Sequence, residues 1–440
     1  MKLLMVAGAR PNFMKIAPII QALKQHNERV LKARTDEDLG SEEAIQPILV
    51  HTGQHYDDLM SGAFFRDLSL PQPDVHLGVG SGPHAAQTAE IMKKFEQVVL
   101  TEKPDVVVVV GDVNSTLACA LVTSKISFDF AGSRPLIAHV EAGLRSFDWS
   151  MPEEINRVLT DHVSDLLFVT EESGLRNLRK EGVPLENIHF VGNTMIDSLL
   201  SLKQRADQSA ILEGLGLRAE TGNNGVNLPS NDFALLTLHR PANVDNRETL
   251  LSILGGLEEL ASDYPVIFPV HPRTRQRMKE FGFDNARAGR MPIDGDALDS
   301  RNGRNGLVLI DPLGYLDFLC LMKYARIVVT DSGGIQEETT ILGTPCVTVR
   351  ENTERPVTVE FGTNTIAGTE TNKIKAAIRR QIARRVRAEA PKNWDGHAAR
   401  RIVDILVRHR REKESVRSLS IPHAVTSDEA RSFTAPNPCQ

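Results

Sequence analysis

The chain has 440 residues, and its 41% hydrophobic and 25% charged residues are typical of a globular protein. The net charge is −6 with lysine and arginine spread along the chain, so we do not expect nucleic acid as a partner. The four cysteines have no paired spacing and are interpreted as thiols. The opening stretch, MKLLMVAGARPN, is too short for a membrane span and predicts a buried strand. We therefore expect a cytoplasmic protein with no membrane partner.

The first half of the chain alternates short apolar runs with helical patterns. Strands are predicted at Leu3–Ala7, Ile48–His51, Asp105–Val110, Leu136–Val140, Leu166–Val169 and Ile188–Val191. Helices are predicted at Lys15–Lys24, His84–Leu100, Ser115–Lys125 and Glu153–His162. This order is typical of a parallel, doubly wound sheet and predicts a Rossmann-like domain over residues 1–195.

The same alternation begins again after a polar connector at residues 201–232. Strands are predicted at Phe233–Leu238, Val266–Val270, Leu307–Ile310, Ile327–Thr330 and Cys346–Val349, with helices near Arg247–Ala261 and at Tyr315–Tyr324. A second Rossmann-like domain is therefore predicted over residues 196–372, followed by a helical segment over Asn372–Arg411. Residues 32–46 and 282–306 are interpreted as surface insertions, and residues 412–440 as a disordered tail.

The stretch RIVVTDSGGIQEETT, at residues 326–340, predicts an anion site. A β-branched strand, the turn Ser332-Gly333-Gly334 and a helix that starts after it bring backbone N–H groups and a helix dipole to one point. Such a point favours a phosphate group. The alternative is an ordinary strand-to-helix turn without a ligand.

Two cations follow the first strand, at the end where a doubly wound domain binds its ligand. Arg10 lies in the turn GARPN, and Lys15 falls in the first turn of the next helix. We interpret them as contacts for a charged substrate group, with two solvated cations as the alternative. The turn does not match GxGxxG, so a nicotinamide cofactor is not expected.

Carboxylates follow the next predicted strands. Asp112 follows the strand of five valines and Glu141 ends the strand after it, so both should face one cleft. Glu153 and Arg157 are four residues apart on a predicted helix, where a simple ion pair is the alternative to a catalytic role. Clustered carboxylates raise one another's pKa, which suits acid–base chemistry near neutral pH.

Two histidines end strands of the second domain. His239 opens the segment HRPAN, and His271 opens HPRT. Their position beside arginines at the ligand end indicates anion binding, with a structural histidine as the alternative. The DxD matches at Asp36–Asp38 and Asp294–Asp296 fall in polar insertions, so no metal is expected.

Segments along the whole chain resemble the non-hydrolysing UDP-N-acetylglucosamine 2-epimerases. They occur in family order over about residues 1–370: GARPNFMKIAP, HTGQHYD, GDVNST, HVEAGLRS, MPEEINR, VGNTMID, LHRPANV, VHPRT, PLGYLDF, TDSGGIQEE and NTERP. The resemblance implies a glycosyltransferase-B architecture, in which a ligand cleft separates two Rossmann-like α/β domains and the last helices, about residues 373–411, cross back to the first. It also implies a homodimer, a UDP-sugar substrate and no cofactor. The implied reaction is reversible epimerisation at carbon 2 through elimination and re-addition of UDP.

The resemblance also implies roles for individual residues. Asp112, Glu141 and Glu153 would be the acid–base carboxylates, while Lys15, Arg157 and His239 would support catalysis and hold the diphosphate with Arg10. The implied nucleotide site comprises Ser332, Gly333 and Gly334 at the phosphate, Glu338 at the ribose, Phe318 near the uracil, and His271 and Arg355. Three alternatives are a hydrolysing epimerase, a glycosyltransferase of the same architecture and a silent UDP-sugar sensor, which would not need the three carboxylates.

Overall fold

The computed structural model describes residues 1–33, 43–54, 67–68, 70–130, 132–217, 232–283, 306–383 and 389–419. The side chains of Arg10 and of residues 413–419 are not described. Most of the predicted insertions at 32–46 and 282–306, both DxD matches and the predicted tail from residue 420 also lie outside the described residues.

The first domain is built on a parallel sheet that has seven strands within the described residues. They are β1 (Lys2–Ala7), β2 (Gln46–His51), β3 (Val75–His76), β4 (Val106–Val110), β5 (Leu136–Ala142), β6 (Leu166–Val169) and β7 (Ile188–Phe190). Its helices are α1 (Arg10–Ala33), α2 (His84–Glu102), α3 (Asn114–Lys125), α4 (Pro152–Val163), α5 (Glu172–Lys180) and α6 (Thr194–Ala206). Alternate valines of β4 belong to different hydrophobic clusters, because both faces of the sheet are covered.

The second domain is built on a parallel sheet with six strands within the described residues. They are β8 (Ala234–Thr237), β9 (Pro265–Pro269), β10 (Gly306–Ile310), β11 (Ile327–Thr330), β12 (Cys346–Thr348) and β13 (Asn364–Ile366). The helices of this part are α7 (Ile211–Gly214), α8 (Pro241–Val244), α9 (Arg247–Gly256), α10 (Glu258–Asp263), α11 (Pro272–Glu280), α12 (Tyr315–Tyr324), α13 (Gly333–Leu342), α14 (Val357–Glu360) and α15 (Thr371–Ala383).

The predicted fold class, two parallel α/β sheets, is confirmed. The sequence did not predict β3 and β13, which are edge strands of two and three residues and too short to show a pattern. In the described part of the chain, no helix combines the length and the apolar character of a membrane span.

The strand order of each sheet fixes where a ligand can bind. The first sheet runs β3-β2-β1-β4-β5-β6-β7, and the second runs β10-β9-β8-β11-β12-β13. In each sheet, successive strands are added in one direction up to a single point and in the opposite direction after it. This point lies between β1 and β4 in the first sheet and between β8 and β11 in the second. A crevice opens at such a switch point, at the carboxyl ends of the strands. The turns after these four strands carry Arg10, Asp112, His239 and Ser332.

The last helices are divided between the domains, which corrects the prediction that residues 373–411 all cross back. Helix α15 stays with the second domain, because its apolar residues belong to that hydrophobic cluster: Ile374, Ala377 and Ile378. The chain returns to the first domain only after Glu389, whose N–H still donates to the carbonyl oxygen of Phe361 in the second domain. Asn393 Nδ2 then donates to the carbonyl oxygen of Phe190 in the first domain. There α16 (Ala398–Leu419) packs apolar residues on the core: Ala399, Ile402, Val403 and Leu406.

The predicted helical segment over Asn372–Arg411 is therefore interrupted. Pro391 and Asn393, whose φ is +63°, interrupt it between α15 and α16. Residues 412–419, predicted as part of the tail, are instead helical.

The returning segment lies so close to the first domain that Gly192 has no room for a side chain. A Cβ there would overlap the carbonyl oxygen of Asn393, and its φ is +92°. We expect Gly192→Ala to lower the free energy of unfolding by about 3 kcal/mol, through steric overlap and left-handed backbone together. Denaturant unfolding followed by circular dichroism measures this loss.

The control is Gly182→Ala, because Gly182 also has a positive φ of +81° but no described atom within 4 Å of a Cβ. It isolates the backbone contribution, about 1–2 kcal/mol. Equal losses in the two variants would mean that Asn393 does not restrict Gly192.

Candidate functional site

The first switch point is shaped by Asn12. Its Oδ1 accepts hydrogen bonds from the backbone N–H groups of Gly8 and Ala9, at 3.0 and 2.9 Å. Its Nδ2 donates to the carbonyl oxygen of Val110 at 3.0 Å, so the ends of β1 and β4 are tied together. The first turn of α1 then directs Lys15 to the turn after β4, where a Cβ on Gly111 would be 2.9 Å from Lys15 Nζ.

Glu141 occupies a strained position at the end of β5. It is the extra residue of a β-bulge, since Val140 and Ala142 pair with consecutive residues of β6, and its φ is +75°. Its side chain is buried between two cations. Lys15 Nζ lies 2.6 Å from Oε2, and Nη2 of Arg355, from the second domain, donates to Oε1 at 3.1 Å.

Asp112 is held by Arg157, whose Nη2 donates to Asp112 Oδ2. Burial alone would raise the pKa of Asp112, but the positive charges of Arg157, Lys15 and Arg355 outweigh it and lower the pKa. For Arg157 the effects have the opposite sign. Burial would lower its pKa, but the negative charges of Asp112 and other carboxylates outweigh burial and raise the pKa. Asp112 is therefore an anion at neutral pH. This corrects the expectation of a raised pKa for the clustered carboxylates, because cations surround Asp112.

Arg157 pairs with Glu154 rather than with Glu153, so the ion pair named as the alternative role of Glu153 is not the one formed. Arg157 Nη1 lies 2.6 Å from Glu154 Oε2, so the partner is the neighbouring carboxylate. The side chain of Glu154 is held beside Arg157 because it also accepts hydrogen bonds from the backbone N–H groups of Ser146 and Phe147, at 3.0 and 2.8 Å. Glu153 is half-buried in the first turn of α4 and is not part of this set of contacts around Glu154.

The second switch point is organised by Asp331, which sequence reasoning missed. This fully buried carboxylate accepts hydrogen bonds from the backbone N–H groups of His239 and Arg240. It also lies 2.9 Å from His239 Nδ1, while 55% of the His239 side chain stays exposed to the cleft. Burial would raise the pKa of Asp331, but the contacts with His239 and Arg240 lower it. Asp331 therefore orients the His239 ring.

The predicted anion site has the expected form, with β11 followed by α13. Ser332 is the N-cap residue and Gly333 and Gly334 form the first turn of the helix. Side chains from both domains come close to these glycines. A Cβ on Gly333 would overlap the guanidinium of Arg355, and one on Gly334 would be 2.8 Å from Cε of Met195 on α6.

Arg355 joins the two switch points. Besides Glu141, its buried guanidinium contacts Glu337 Oε1 at 2.8 Å through Nε and Glu354 Oε1 through Nη1. Burial would lower the pKa of Arg355, but Glu337, Glu141 and Glu354 raise it well above its usual range. Burial would raise the pKa of Glu354, and Arg355, Arg350 and other arginines hold it well below its usual range. Both groups are charged throughout the physiological range.

The other predicted nucleotide-site residues differ in what surrounds them. Tyr315 Oη donates to buried Glu338 Oε1 at 2.8 Å, and Phe318 is half-buried one helical turn later on α12. His271 is the N-cap of α11 and its ring accepts the backbone N–H of Arg273 at 3.2 Å, so the structure gives it a helix-capping contact. The backbone of Arg10 starts α1, and its side chain lies outside the described residues.

The structure thus joins Lys15, Glu141 and Arg355 by ion pairs, and pairs Asp112 with Arg157 beside them. The charges of Lys15 and Arg355 also act on Asp112. The structure adds Glu337, Glu354, Asp331 and Glu154, which sequence analysis did not single out. Asp331 follows a buried strand and could have been found by the argument used for Asp112 and Glu141. Among the described residues, no group of three or more histidines, cysteines or carboxylates is arranged to hold a metal ion.

Comparisons with known proteins identify the family of the chain. The family model described as UDP-N-acetylglucosamine 2-epimerase matches residues 37–407. The chain is 41% identical to the UDP-N-acetylglucosamine 2-epimerase of Methanocaldococcus jannaschii, over 92% of this chain and 99% of that protein. It is 36% identical to the UDP-2,3-diacetamido-2,3-dideoxy-D-glucuronate 2-epimerase of Pseudomonas aeruginosa, over 93% and 100%.

A solved structure is also similar over the whole fold. The Methanocaldococcus jannaschii UDP-GlcNAc 2-epimerase, crystallised in complex with UDP-GlcNAc and UDP, has a TM-score of 0.76 and 40% identity, covering 93% of this chain and 100% of that one. The match of the family model over most of the length, together with these relatives, establishes the family. The chain belongs to the UDP-N-acetylglucosamine 2-epimerase family of isomerases.

Proposed function

We propose that this protein interconverts UDP-N-acetylglucosamine and UDP-N-acetylmannosamine without hydrolysis, by elimination and re-addition of UDP. The observation that carries the proposal is the ion-pair network between the two switch points. It places the carboxylates of one domain next to the helix N-terminus of the other, with Arg355 bonded to Glu141 between them.

The chemistry requires a base, an acid and cations. The proton at carbon 2 of the sugar is weakly acidic, and its direct removal leaves no good electron sink. If UDP leaves carbon 1 while a base takes this proton, a glycal forms. Protonation from the other face followed by return of UDP inverts carbon 2.

The second domain supplies the nucleotide end. The N–H groups at the start of α13 would bind the diphosphate, helped by the helix dipole, and His239 would face it from the end of β8. Glu338, oriented by Tyr315, would accept the ribose hydroxyls, and Phe318 would lie near the uracil.

The first domain supplies the sugar end. Asp112 enters the reaction as an anion because of its lowered pKa, so it is free to accept a proton, as a weaker base than a carboxylate with a raised pKa. Glu141 and Glu153 are the other carboxylates available for proton transfer. Lys15 and Arg157, already placed beside these carboxylates, would stabilise the negative charge of the departing UDP.

Burial supports a route that excludes water. Lys15, Glu141 and Arg355 are each about 5% exposed, so the reacting centre would be largely shielded while the intermediate exists. A hydrolysing epimerase would instead admit water to the same intermediate, and a glycosyltransferase would need a second substrate.

Incubation with UDP-N-acetylglucosamine alone separates these functions. We expect UDP-N-acetylmannosamine as the product, identified by nuclear magnetic resonance, because UDP stays bound and returns. In deuterated water, both the product and the recovered substrate should carry deuterium at carbon 2.

Free N-acetylmannosamine with UDP would establish hydrolysis, and no reaction without an acceptor would favour a glycosyltransferase. Product without deuterium would contradict elimination. A parallel incubation with UDP-2,3-diacetamido-2,3-dideoxy-D-glucuronate tests the substrate of the Pseudomonas relative.

The variants Asp112→Asn, Glu141→Gln and Glu153→Gln test the three carboxylates. Each keeps the shape of the side chain and removes its acid–base capacity, so we expect turnover to fall by about a hundredfold or more. Affinity for UDP, measured by calorimetry, should change little in comparison. Glu186→Gln, at an exposed position on the same domain, is the control and should retain full turnover. A carboxylate whose amide variant turns over normally does not transfer a proton.

The variant Glu338→Ala tests the nucleotide end. It removes the partner of two hydroxyls, and we expect UDP binding to weaken by about 1.5–3 kcal/mol, the range for hydrogen bonds to a charged group. Tyr315→Phe keeps the carboxylate but removes the hydrogen bond that orients it, so its effect should be smaller. Unchanged UDP affinity in Glu338→Ala would exclude Glu338 from the binding site.

A further inference from the structure

A second buried carboxyl of the first domain points to the second domain, and the proposed reaction does not use it. Glu171 follows β6, as Asp112 follows β4, and is 1% exposed. Ser173 Oγ donates a hydrogen bond to its Oε1. The backbone N–H of Val357, in the second domain, also points to this carboxyl group and favours its charged form. Glu171 is therefore part of the contact between the domains.

Glu337 approaches the same place from the second domain. It lies on α13, is fully buried, and interacts electrostatically with Glu171. Arg355 Nε, 2.8 Å from Glu337 Oε1, is the cation between them. Among the described residues, neither Glu171 Oε2 nor Glu337 Oε2 has a hydrogen-bond donor.

The charges at this contact do not balance if every carboxyl is ionised. Lys15 pairs with Glu141, and Arg355 pairs with Glu141 and Glu337. Glu171 adds a third carboxyl that the charge of Arg355 reaches. Buried charge without a partner is strongly unfavourable, so one carboxyl is expected to hold a proton.

The remaining charged neighbour does not restore the balance. Glu354, which also contacts Arg355, already has its own cations: Arg350 at 2.8 Å, together with Arg157 and Arg240. The imbalance therefore concerns Glu171 and Glu337.

Of these two, Glu171 is the better proton carrier. Burial raises the pKa of Glu171, and the charge of Glu337 raises it further. The hydrogen bonds of Ser173 and the Val357 N–H and the charge of Arg355 lower it. The raising effects are larger and give a pKa of about 8. Burial and Glu141 raise the pKa of Glu337 to about 7, against the opposing effect of Arg355. Because the two carboxyls interact, a proton on one relieves the repulsion on the other.

We propose that Glu171 carries a proton when the two domains are in contact, and that closure of the cleft on UDP takes up this proton. The inference rests on the proposed function in one respect, namely that UDP binds in the cleft and closes it.

The direction of the pH effect follows from the two states of Glu171. With the domains apart its carboxyl would be hydrated, with the ordinary pKa of 4.5, whereas in contact its pKa is about 8. The closed form thus binds more protons between these values. The contribution of Glu171 to UDP affinity is greatest at low pH and falls as pH rises through this window, by up to about tenfold per pH unit.

Calorimetry of UDP binding at about pH 7.5, in two buffers with different enthalpies of ionisation, counts the protons taken up. We expect the wild-type protein to take up about 0.5–1 proton per UDP. Glu171→Gln, which is always neutral, should lack this proton uptake. The pH dependence that remains in the variant belongs to other groups such as the terminal phosphate of UDP, whose pKa is about 6. Glu172→Gln, at the exposed neighbouring residue, is the control and should behave as wild type.

The outcomes are distinct. Absence of UDP binding in the wild-type protein would contradict the proposed function. Binding without proton uptake, or uptake that persists in Glu171→Gln but is lost in Glu337→Gln, would overturn the assignment to Glu171. The wild-type measurement decides the existence of the linked proton even if Glu171→Gln does not fold.

Discussion

The site depends on one guanidinium that three carboxylates share across two domains. Arg355 is buried and contacts Glu141 of the first domain together with Glu337 and Glu354 of the second. A charge removed from water in this way is tolerated only when its partners surround it. The arrangement of the Arg355 partners therefore exists only while the domains are in contact. In the proposed reaction, the assembly of the site and the closure of the cleft are therefore one event.

The parallel sheets explain why this event happens where it does. Each sheet reverses its strand order once, and each reversal places polar turns at the carboxyl edge. The two edges bring different chemistry to the cleft. The first carries carboxylates with cations beside them, and the second carries a helix N-terminus and a histidine oriented by Asp331. A nucleotide sugar, with an anionic diphosphate next to a weakly acidic carbon, would need both.

Much of the fold and part of the site could be predicted from the sequence. Apolar runs such as Val106–Val110 mark buried strands directly, and polar residues after them mark the ligand end, which is how Asp112 and Glu141 were found. The family resemblance assigned the helix after residue 371 to the wrong domain, and its apolar face fits either core by pattern alone. The packing of Ile374, Ala377 and Ile378 in the hydrophobic cluster of the second domain decides the assignment of this helix.

The network around Arg355 could not be predicted by the same means. Glu337 and Glu354 look like ordinary polar residues of a helix and a loop, and their role comes from what faces them across the cleft. The choice of Glu154 over Glu153 as partner of Arg157 is of the same kind. Both carboxylates are within one turn, and the backbone N–H groups of residues 146 and 147 select one of them.

The central claim is that the Glu141–Arg355 contact holds the two halves of one site together. A double-mutant cycle tests it most directly, with the free energy of UDP binding measured for the wild type, Glu141→Gln, Arg355→Met and the double variant. If the contact couples the domains, the two effects should be non-additive by about 1 kcal/mol or more. Effects that add to within about 0.3 kcal/mol would show that the two residues act independently and would contradict the account.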